Sequence, residues 1–489
     1  MNTIIRTVAL GVSTLAFFSS LIRAGDDVDR TKRPVGKPAP KVALPQIQKA
    51  TLKNGLKILL VEHHELPTAA FNLVIQAGSD HDPVTQPGIA SVTADLLDEG
   101  TKKRDALQIS EGIVSIGASF GTNSSLDGSS MTLSTLTKHL EKALDIFTDV
   151  LVNPTFPEKD FERIRKTRLA GLMQQRDQPP VIANNAYSYL LYGPNHPYGN
   201  NPSGSEASLK SMKTDDLKKF YQTYYRPNNA TLVVVGDVRL DDITSKLEPM
   251  LSGWQEGSVP AFSIPEPKAP DKMRVYLVDK PGAPQSEVRI GYPALARSTP
   301  DFFPVELMNR VLGGQFSSRI NLNLREKHGY TYGARSGFGY RKGVGPFTAQ
   351  GGIVTEKSDS AMREFLNEIN AMREKGVAKD ELEFVKKGLT GNFALSFETP
   401  VQIAGSLQNI VLYSLPENYY NNYLQNIESV TLDDVNRVAK QYLDASKMAM
   451  VVVGDLSKIK DGIAAQNFGE VILCDLDGKP LPFIETPKK

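Results

Sequence analysis

The chain has 489 residues, of which 40% are hydrophobic and 23% charged, a composition typical of a soluble globular protein with two to four domains. Its 56 lysines and arginines nearly cancel its 55 aspartates and glutamates, so no overall field favours nucleic acid or an anionic membrane. Its single cysteine, Cys474, excludes both a disulfide framework and a cysteine-rich metal site.

The first 24 residues differ in composition from the remainder. Arg6 precedes an uncharged, mostly apolar run from Val8 to Ile22, and a polar stretch begins at Gly25. This layout is typical of a secretory signal peptide, and the run is short for a membrane span. We therefore expect residues 1–24 to be a signal peptide and the mature chain to be exported, periplasmic and soluble, without stable membrane insertion. An uncleaved anchor is the alternative, because small residues are preferred at the position of Ile22.

An internal repeat organises the rest of the chain. The sequence TLVVVGDV at 231–238 returns as AMVVVGDL at 449–456, an offset of 218 residues, and an aspartate pair that opens a helix precedes each copy at the same offset. A two-strand pattern around Pro67 returns around Pro284, at an offset of 217. The chain is therefore predicted to consist of two similar halves.

The boundaries of the halves follow from composition. Strands grouped apart from helices favour an α+β architecture over a doubly wound sheet, and we expect the two halves to face each other across a cleft. Four prolines mark the linker between them. The expected segments are an extended lead-in (25–46), an N-terminal domain (47–253), a linker (254–272), a C-terminal domain (273–470) and a tail (471–489).

Three motifs carry a resemblance to a known family. They are GIASVTADLLDEGT (88–101), NHPYG (195–199) and VLGGQFSSRINLNLREKHGYTYG (311–333). Together with the repeat, they resemble the insulinase/pitrilysin family, the inverted zincins, over roughly residues 45–460. The resemblance implies the metallopeptidase fold that LuxS and insulinase share, with two homologous α/β-layer halves.

The resemblance also implies a lost zinc site. In active members the helix at 88–101 carries H-x-x-E-H, whose two histidines bind zinc while the glutamate acts on the zinc-bound water. Alignment places Ser91 and Asp95 at the histidine positions and Ala94 at the glutamate. The third ligand, a glutamate in the family, falls at Gly171, with Leu172 as the alternative register. We therefore expect this chain to bind no metal, and zinc to reside in a partner subunit.

A relocated metal site is a separate possibility. It would use His63 or His64 together with His81 and Asp95. His63 and His64 are adjacent in a predicted strand and so point to opposite faces, which prevents both from binding one ion easily.

The second half retains a different motif of the family. In LREKHGYTYG, Arg325 and Tyr332 match the family's arginine–tyrosine pair, which the resemblance places near the scissile bond of a bound peptide. A guanidinium and a phenol both donate hydrogen bonds to a carbonyl or to charge developing on it. The competing interpretation is an arginine that caps a helix and a tyrosine packed in the core.

Four glycines near this pair suggest peptide binding. Gly313 and Gly314 indicate a loop with positive φ or close backbone approach, and Gly351 and Gly352 lie in a strand that is either a sheet edge open to an extended peptide or an ordinary bulged strand.

These features lead to one functional hypothesis and its rivals. The vacant helix and the retained pair predict a non-catalytic subunit of an exported zinc peptidase, which binds unfolded peptide and pairs with an insulinase-family subunit carrying H-x-x-E-H. The first rival is a structural or peptide-binding protein of the same fold without a role in proteolysis. The second is an independent peptidase with the relocated metal site.

Overall fold

The computed structural model describes residues 46–268 and 270–482. The expected signal peptide and nearly all of the lead-in lie outside the described residues. The strands are β1 (Gln48–Thr51), β2 (Lys57–Glu62), β3 (Thr68–Ile75), β4 (Ser119–Ser124), β5 (Ser129–Leu136), β6 (Ala230–Gly236), β7 (Arg274–Asp279), β8 (Gln285–Leu295), β9 (Ala334–Phe338), β10 (Gly345–Val354), β11 (Ala449–Gly454) and β12 (Glu470–Cys474).

The helices of the first half are α1 (Ile89–Leu96), α2 (Ala106–Val114), α3 (Leu140–Val152), α4 (Glu158–Gln175), α5 (Pro179–Tyr192), α6 (Glu206–Ser211), α7 (Thr214–Tyr224) and α8 (Leu240–Met250). Those of the second half are α9 (Phe302–Leu312), α10 (Arg319–Asn321), α11 (Ser358–Lys375), α12 (Lys379–Phe393), α13 (Pro400–Tyr413), α14 (Tyr423–Ser429), α15 (Leu432–Tyr442) and α16 (Leu456–Ala465). A π-helical turn, Leu322–Lys327, continues α10. Short 3₁₀ turns lie between several of these elements.

The strands form two six-stranded sheets with matching topology. The first sheet has the order β1-β2-β6-β3-β5-β4 and the second β12-β7-β11-β8-β10-β9. In both sheets the strand that carries the repeated VVVG sequence pairs in parallel with one neighbour and antiparallel with the other. The prediction of an α+β fold with two homologous halves is confirmed.

The two sheets differ at one edge. In the first sheet β1 precedes β2 in sequence and pairs with it antiparallel, whereas in the second β12 arrives from the C-terminus and pairs with β7 in parallel. The segment 471–489, expected to be a tail, therefore begins inside a strand. The apolar residues VILC belong to β12, which pairs with β7. The run is too short for its pattern to have predicted a strand.

Each sheet is covered by helices on both faces. One face packs against helices of its own half, including α1, α3 and α4 in the first half and α9, α11 and α15 in the second. The other face is covered by a helix from the opposite half: α5 packs on β11 and β8, and α13 packs on β3 and β6. Burial on both faces explains why β6 and β11 are continuous apolar runs rather than alternating ones.

Hydrogen bonds of two tyrosines of the first half connect it to the second half. The hydroxyl of Tyr187 on α5 donates to the carbonyl oxygen of Phe347 on β10 at 2.8 Å. The buried Tyr198 hydroxyl donates to Asp127 Oδ1 at 2.5 Å and accepts from the backbone N–H of Gly343 at 3.0 Å. Because these groups are buried, each lost partner would leave an unpaired polar atom. The two halves are thus joined by packing and by directional bonds.

Among the helices of the described residues, none combines the length and apolar character that crossing a membrane requires.

Candidate functional site

Helix α1 is held in place at its start and along its apolar face. The carboxylate of Asp82 accepts from the backbone N–H groups of Gly88 and Ala90, at 2.6 and 3.0 Å, and so satisfies donors at the helix start. Gly88 has φ of 94°, and a Cβ there would lie 2.6 Å from the backbone of Gly204. Val92, like the apolar positions that follow it, is buried in the first core.

A guanidinium occupies the position between the two residues aligned with the histidine ligands. Arg168 on α4 donates from Nη2 to Ser91 Oγ at 2.8 Å and to Asp95 Oδ2 at 2.7 Å. Its Nε reaches the same Asp95 oxygen at 3.1 Å, and its Nη1 donates to the carbonyl oxygen of Ser203 at 3.2 Å. Ser91 and Asp95 therefore share a helix face, as their spacing of four predicts, and both bind one internal cation.

Arg168 changes what this site can hold. Its side chain is only 15% exposed, and its charge is paired with the Asp95 carboxylate. A zinc ion placed beside it would meet a like charge at short range in a partly buried environment. Arg168 was not predicted as a site residue, although its position on α4, about one turn before Gly171, could have indicated it.

The remaining positions of the lost site contribute no ligand. Ala94 is buried, and its carbonyl oxygen accepts from the Thr122 hydroxyl at 2.8 Å. Gly171 lies on α4, where a Cβ would find no atom within 4 Å. Leu172 instead packs against the first core.

The relocated metal site is not assembled. His64 bonds to Asp237 Oδ1 at 2.7 Å and Glu62 Oε2 at 2.8 Å, while His81 bonds to Asp80 at 2.6 Å. Over residues 46–268 and 270–482, no three His, Cys, Asp or Glu side chains are grouped closely enough to hold a metal ion.

His196 of the NHPYG motif has a structural role. Its Nδ1 accepts from the backbone N–H of Tyr198 at 3.0 Å, and its Nε2 bonds to the carbonyl oxygen of Pro265 at 2.9 Å. Burial lowers the pKa of His196, so the neutral form that can make both contacts is favoured. The histidine therefore ties a turn to the segment between the halves.

Carboxyl groups near α1 are shifted towards their neutral forms. Burial raises the pKa of Asp82 to about 7, an effect that nearby Asp80 reinforces and the two backbone donors oppose. Burial likewise raises the pKa of Asp98 to about 6. The helix start is thus held by a group that titrates near neutrality.

The retained pair of the second half lies in a large open cavity. Arg325, Tyr332 and the four glycines from the sequence analysis, Gly313, Gly314, Gly351 and Gly352, all line it, and its volume is about 570 Å³. Pro180, at the start of α5, also lines it from the first half. This volume is in the range of ligand-binding pockets.

Arg325 and Tyr332 are both accessible in this cavity. Tyr332 is 87% exposed and precedes β9, so the interpretation as a core tyrosine is wrong. Arg325 lies in the π-helical turn, with its guanidinium carbon 4.7 Å from the centre of the Phe316 ring, a cation–π contact that orients it. Its carboxylate partner is the neighbouring Glu326, with Nε to Oε1 at 3.3 Å.

The glycines owe their identity to close packing. A Cβ at Gly313 would lie 2.3 Å from the Ser336 backbone nitrogen, and one at Gly314 would lie 2.9 Å from the Asn309 amide. Neither residue has positive φ, so the expectation of close approach is confirmed and that of positive φ is wrong.

The strand with Gly351 and Gly352 is not a sheet edge. β10 pairs with β8 along its length and with β9 over Phe347–Gly351, and a register shift lies at Gly345 and Pro346. The edge alternative is therefore wrong, and the edge strand on this side of the sheet is β9. A Cβ at Gly352 would lie 2.9 Å from Glu287 Oε1, which accounts for the glycine there.

Two models of one peptidase family match this sequence. The model described as Insulinase (Peptidase family M16) matches residues 57–191, and that described as Peptidase M16 inactive domain matches residues 211–389. Together they cover more than half of the chain.

Individual relatives span most of the chain. A Helicobacter pylori protein named non-peptidase homolog YmxG is 25% identical, with 82% of this chain and 93% of the relative covered. The zinc protease PqqE of the same strain is 24% identical, with 83% and 93% covered. The crystal structure of a peptidase M16 inactive domain from Pseudomonas fluorescens has a TM-score of 0.79 at 29% identity, with 83% and 98% covered.

Proposed function

The chain belongs to the insulinase family of peptidases, M16, as a member without the family's zinc-binding residues, and we propose that it is the non-catalytic subunit of an exported zinc metallopeptidase. In this role it binds unfolded peptide and supplies Arg325 and Tyr332 to the zinc site of a partner subunit. The partner is an insulinase-family chain that carries H-x-x-E-H.

The observation that carries this proposal is the accessibility of the arginine–tyrosine pair. A tyrosine retained for packing is buried, whereas Tyr332 is 87% exposed in the same cavity as Arg325. Both groups donate hydrogen bonds, and neither supplies a nucleophile or a metal ligand in this setting. Such donors stabilise charge that develops on a carbonyl oxygen during hydrolysis, provided that another group activates the water.

The need for a second chain follows from the state of α1. Arg168 pairs with Asp95 and donates to Ser91, the two residues aligned with the histidine ligands of zinc. The positive charge at this site therefore comes from a side chain and not from a metal ion. Zinc must then come from elsewhere if the arginine–tyrosine pair is to serve a hydrolytic site. One strain of Helicobacter pylori contains relatives named non-peptidase homolog and zinc protease, which supports a division into two kinds of chain.

Substrate and location form the rest of the proposal. The cavity is open and lies beside the edge strand β9, an arrangement that suits an extended peptide better than a folded protein. Export to the periplasm rests on the sequence of residues 1–24, which has the layout of a signal peptide.

Reconstitution tests the proposal. The mature chain is mixed with the H-x-x-E-H chain encoded in the same genome, and cleavage of an unfolded, fluorescence-quenched peptide is measured for each chain and for the mixture. We expect co-elution on size exclusion and a turnover in the mixture well above the sum of the separate chains. Co-elution without any gain in turnover would instead favour the structural, non-proteolytic role.

A further inference from the structure

Three polar side chains form a row across the floor of the cavity. Arg289 on β8 lies opposite Gln350 on β10, and Gln350 lies opposite Arg335 on β9. Residues directly opposite one another in a sheet point to the same face, and all three line the cavity. The row therefore places two guanidiniums on either side of an amide.

The rows beside these three residues leave room for a ligand. Two residues along the strands, Glu287 lies opposite Gly352 on one side, and Thr348 lies between Gly291 and Gly337 on the other. The glycines contribute no side chain next to the arginines. The polar row is thus reachable from the cavity.

The charges of the cavity are not balanced. Arg289 is 5% exposed and already bound, with Nη1 2.9 Å from Glu287 Oε2 and Nε 2.8 Å from Asn184 Oδ1. Its charge is therefore compensated inside the protein. Arg335 is exposed, and within the described part of the chain it forms no ion pair and no side-chain hydrogen bond.

Arg325 adds a second accessible positive charge. Its contact with Glu326 leaves its other guanidinium nitrogens available, and Glu326 itself does not line the cavity. The lining carboxylate, Glu287, is used by Arg289. Arg325 and Arg335 thus present two guanidiniums to one cavity in a protein whose net charge is only +1.

We infer that Arg335, beside the Gln350 amide and with the positive charge of Arg325 in the same cavity, holds a carboxylate of the bound peptide. The carboxylate is either an acidic side chain or the C-terminal carboxylate of the peptide. This inference rests on the proposed function, because it assigns a substrate class to the same peptide site. Guanidiniums suit this task, since their forked donors match the two oxygens of a carboxylate.

The apolar walls favour a peptide over a small inorganic anion. Phe316 is 65% exposed and stands under the Arg325 guanidinium, and Pro180 closes the side formed by α5. A free anion would leave these apolar surfaces in water, whereas the backbone and side chains next to a peptide carboxylate would cover them.

The test measures binding to the purified mature chain without any partner. A fluorescein-labelled peptide of alanine and serine with one central glutamate and a free C-terminus is compared with its glutamine form, its C-terminally amidated form and the form carrying both changes. Fluorescence anisotropy gives Kd for each form. We expect loss of the relevant carboxylate to weaken binding about tenfold. Whether the glutamine or the amidated form shows this loss identifies the source of the carboxylate.

Variants assign the effect to the cavity. Arg335→Gln should reduce the difference between peptide forms to less than about twofold, and Arg335→Lys should restore part of it. Arg239→Gln, which removes an exposed arginine of the first half, should leave the difference intact.

The two possible failures are distinct. Equal Kd values for all peptide forms, or an undiminished difference in Arg335→Gln, would overturn the carboxylate inference while peptide binding itself stands. No binding of any form would overturn the inference together with the peptide-binding role on which it rests.

Discussion

Arginines lie at the candidate site of each half, but that of the first half is enclosed and paired whereas those of the second half are open to solvent. In the first half Arg168 is 15% exposed and donates to Ser91, Asp95 and a backbone carbonyl. In the second half Arg325 and Arg335 face an open cavity with few partners. Two sheets whose strands follow the same order in five of six positions thus support a closed site in one half and an open site in the other. Core packing preserves the fold, while a few polar residues decide whether a site can accept a ligand.

Removing donors from the open site should have the largest effect. Arg325→Ala and Tyr332→Phe should each lower turnover of the reconstituted complex about 10²–10³-fold, because each removes a donor near the reacting carbonyl. Steady-state kinetics with the partner present would measure the change.

The control for this experiment is Arg239→Gln, an exposed change in the first half that should leave turnover unchanged. Tyr332 is exposed, so its variant should also fold and bind the partner like the wild type. Wild-type turnover in both site variants would mean that the pair has no catalytic role, and the structural reading of the protein would replace the peptidase-subunit proposal.

Opening the closed site requires removal of Arg168. Ser91→His, Ala94→Glu and Asp95→His together should bind zinc weakly, and the addition of Gly171→Glu should strengthen binding by supplying a third ligand. A further Arg168→Ala should raise zinc affinity about 10–100-fold by removing a like charge next to the ion. Competition with a chromophoric chelator would give the affinities.

Arg163→Ala on the same helix is the matched control for Arg168→Ala, since Arg163 pairs with Glu99 and should not influence the restored site. Unchanged affinity on removal of Arg168 would show that this guanidinium does not obstruct zinc. Equal affinity with and without Gly171→Glu would show that the third-ligand position is wrong.

Two carboxyl groups, Asp82 of the first half and Asp301 of the second, should give pH dependences of stability with opposite sign. Because the pKa of Asp82 is about 7 in the folded protein and about 4 in the unfolded chain, the folded state binds more protons between these values. The stability that Asp82 contributes is therefore present below pH 4 and is lost as pH rises to 7, by up to about 1.4 kcal/mol per pH unit. Asp82→Asn should flatten this decline, as measured by urea unfolding at several pH values.

Asp301 of the second half provides the contrasting variant. Hydrogen bonds from Arg437 hold its pKa below the usual range, so its contribution is present above the unfolded pKa and is lost as pH falls. Asp301→Asn should therefore lower stability at neutral pH and change little at acidic pH. The same pH profile for both variants would contradict the assigned environments.

The smallest expected effect concerns the stability of the closed site. Arg168→Ala should lower the free energy of unfolding by about 1 kcal/mol, since it removes charge-assisted bonds of which one partner, Asp95, is 43% exposed. Arg163→Ala, whose side chain is 55% exposed, should cost at most about 0.5 kcal/mol. Chemical denaturation of the two variants would compare them, and equal losses would mean that Arg168 is no better integrated than a surface residue.

The repeat and the apolar patterns were sufficient to predict the two halves. The buried VVVG strands and the core face of α1 follow from local sequence, because burial of these residues is required in any arrangement of this fold. The exchange of α5 and α13 between the halves was not predicted. Both helices have apolar residues that would suit either sheet, and only the tertiary structure selects the opposite one.

Motif alignment selected individual residues of the candidate site but carried no information on the charges around them. Motif alignment located Ser91, Asp95, Arg325 and Tyr332. It could not show that Arg168, 73 positions beyond Asp95 in sequence, donates to the residues aligned with the lost zinc ligands. For β10, glycine content fitted both an edge and an inner strand, and hydrogen bonding to β9 decided the outcome.

The decisive measurement is the metal content of the purified mature chain together with its peptidase activity. We expect no stoichiometric zinc and no cleavage of unfolded peptide by this chain alone, because Arg168 donates to both Ser91 and Asp95 and because an alanine, Ala94, stands where the family has its general base. Zinc at close to one ion per chain, with peptide cleavage that a chelator abolishes, would contradict this expectation.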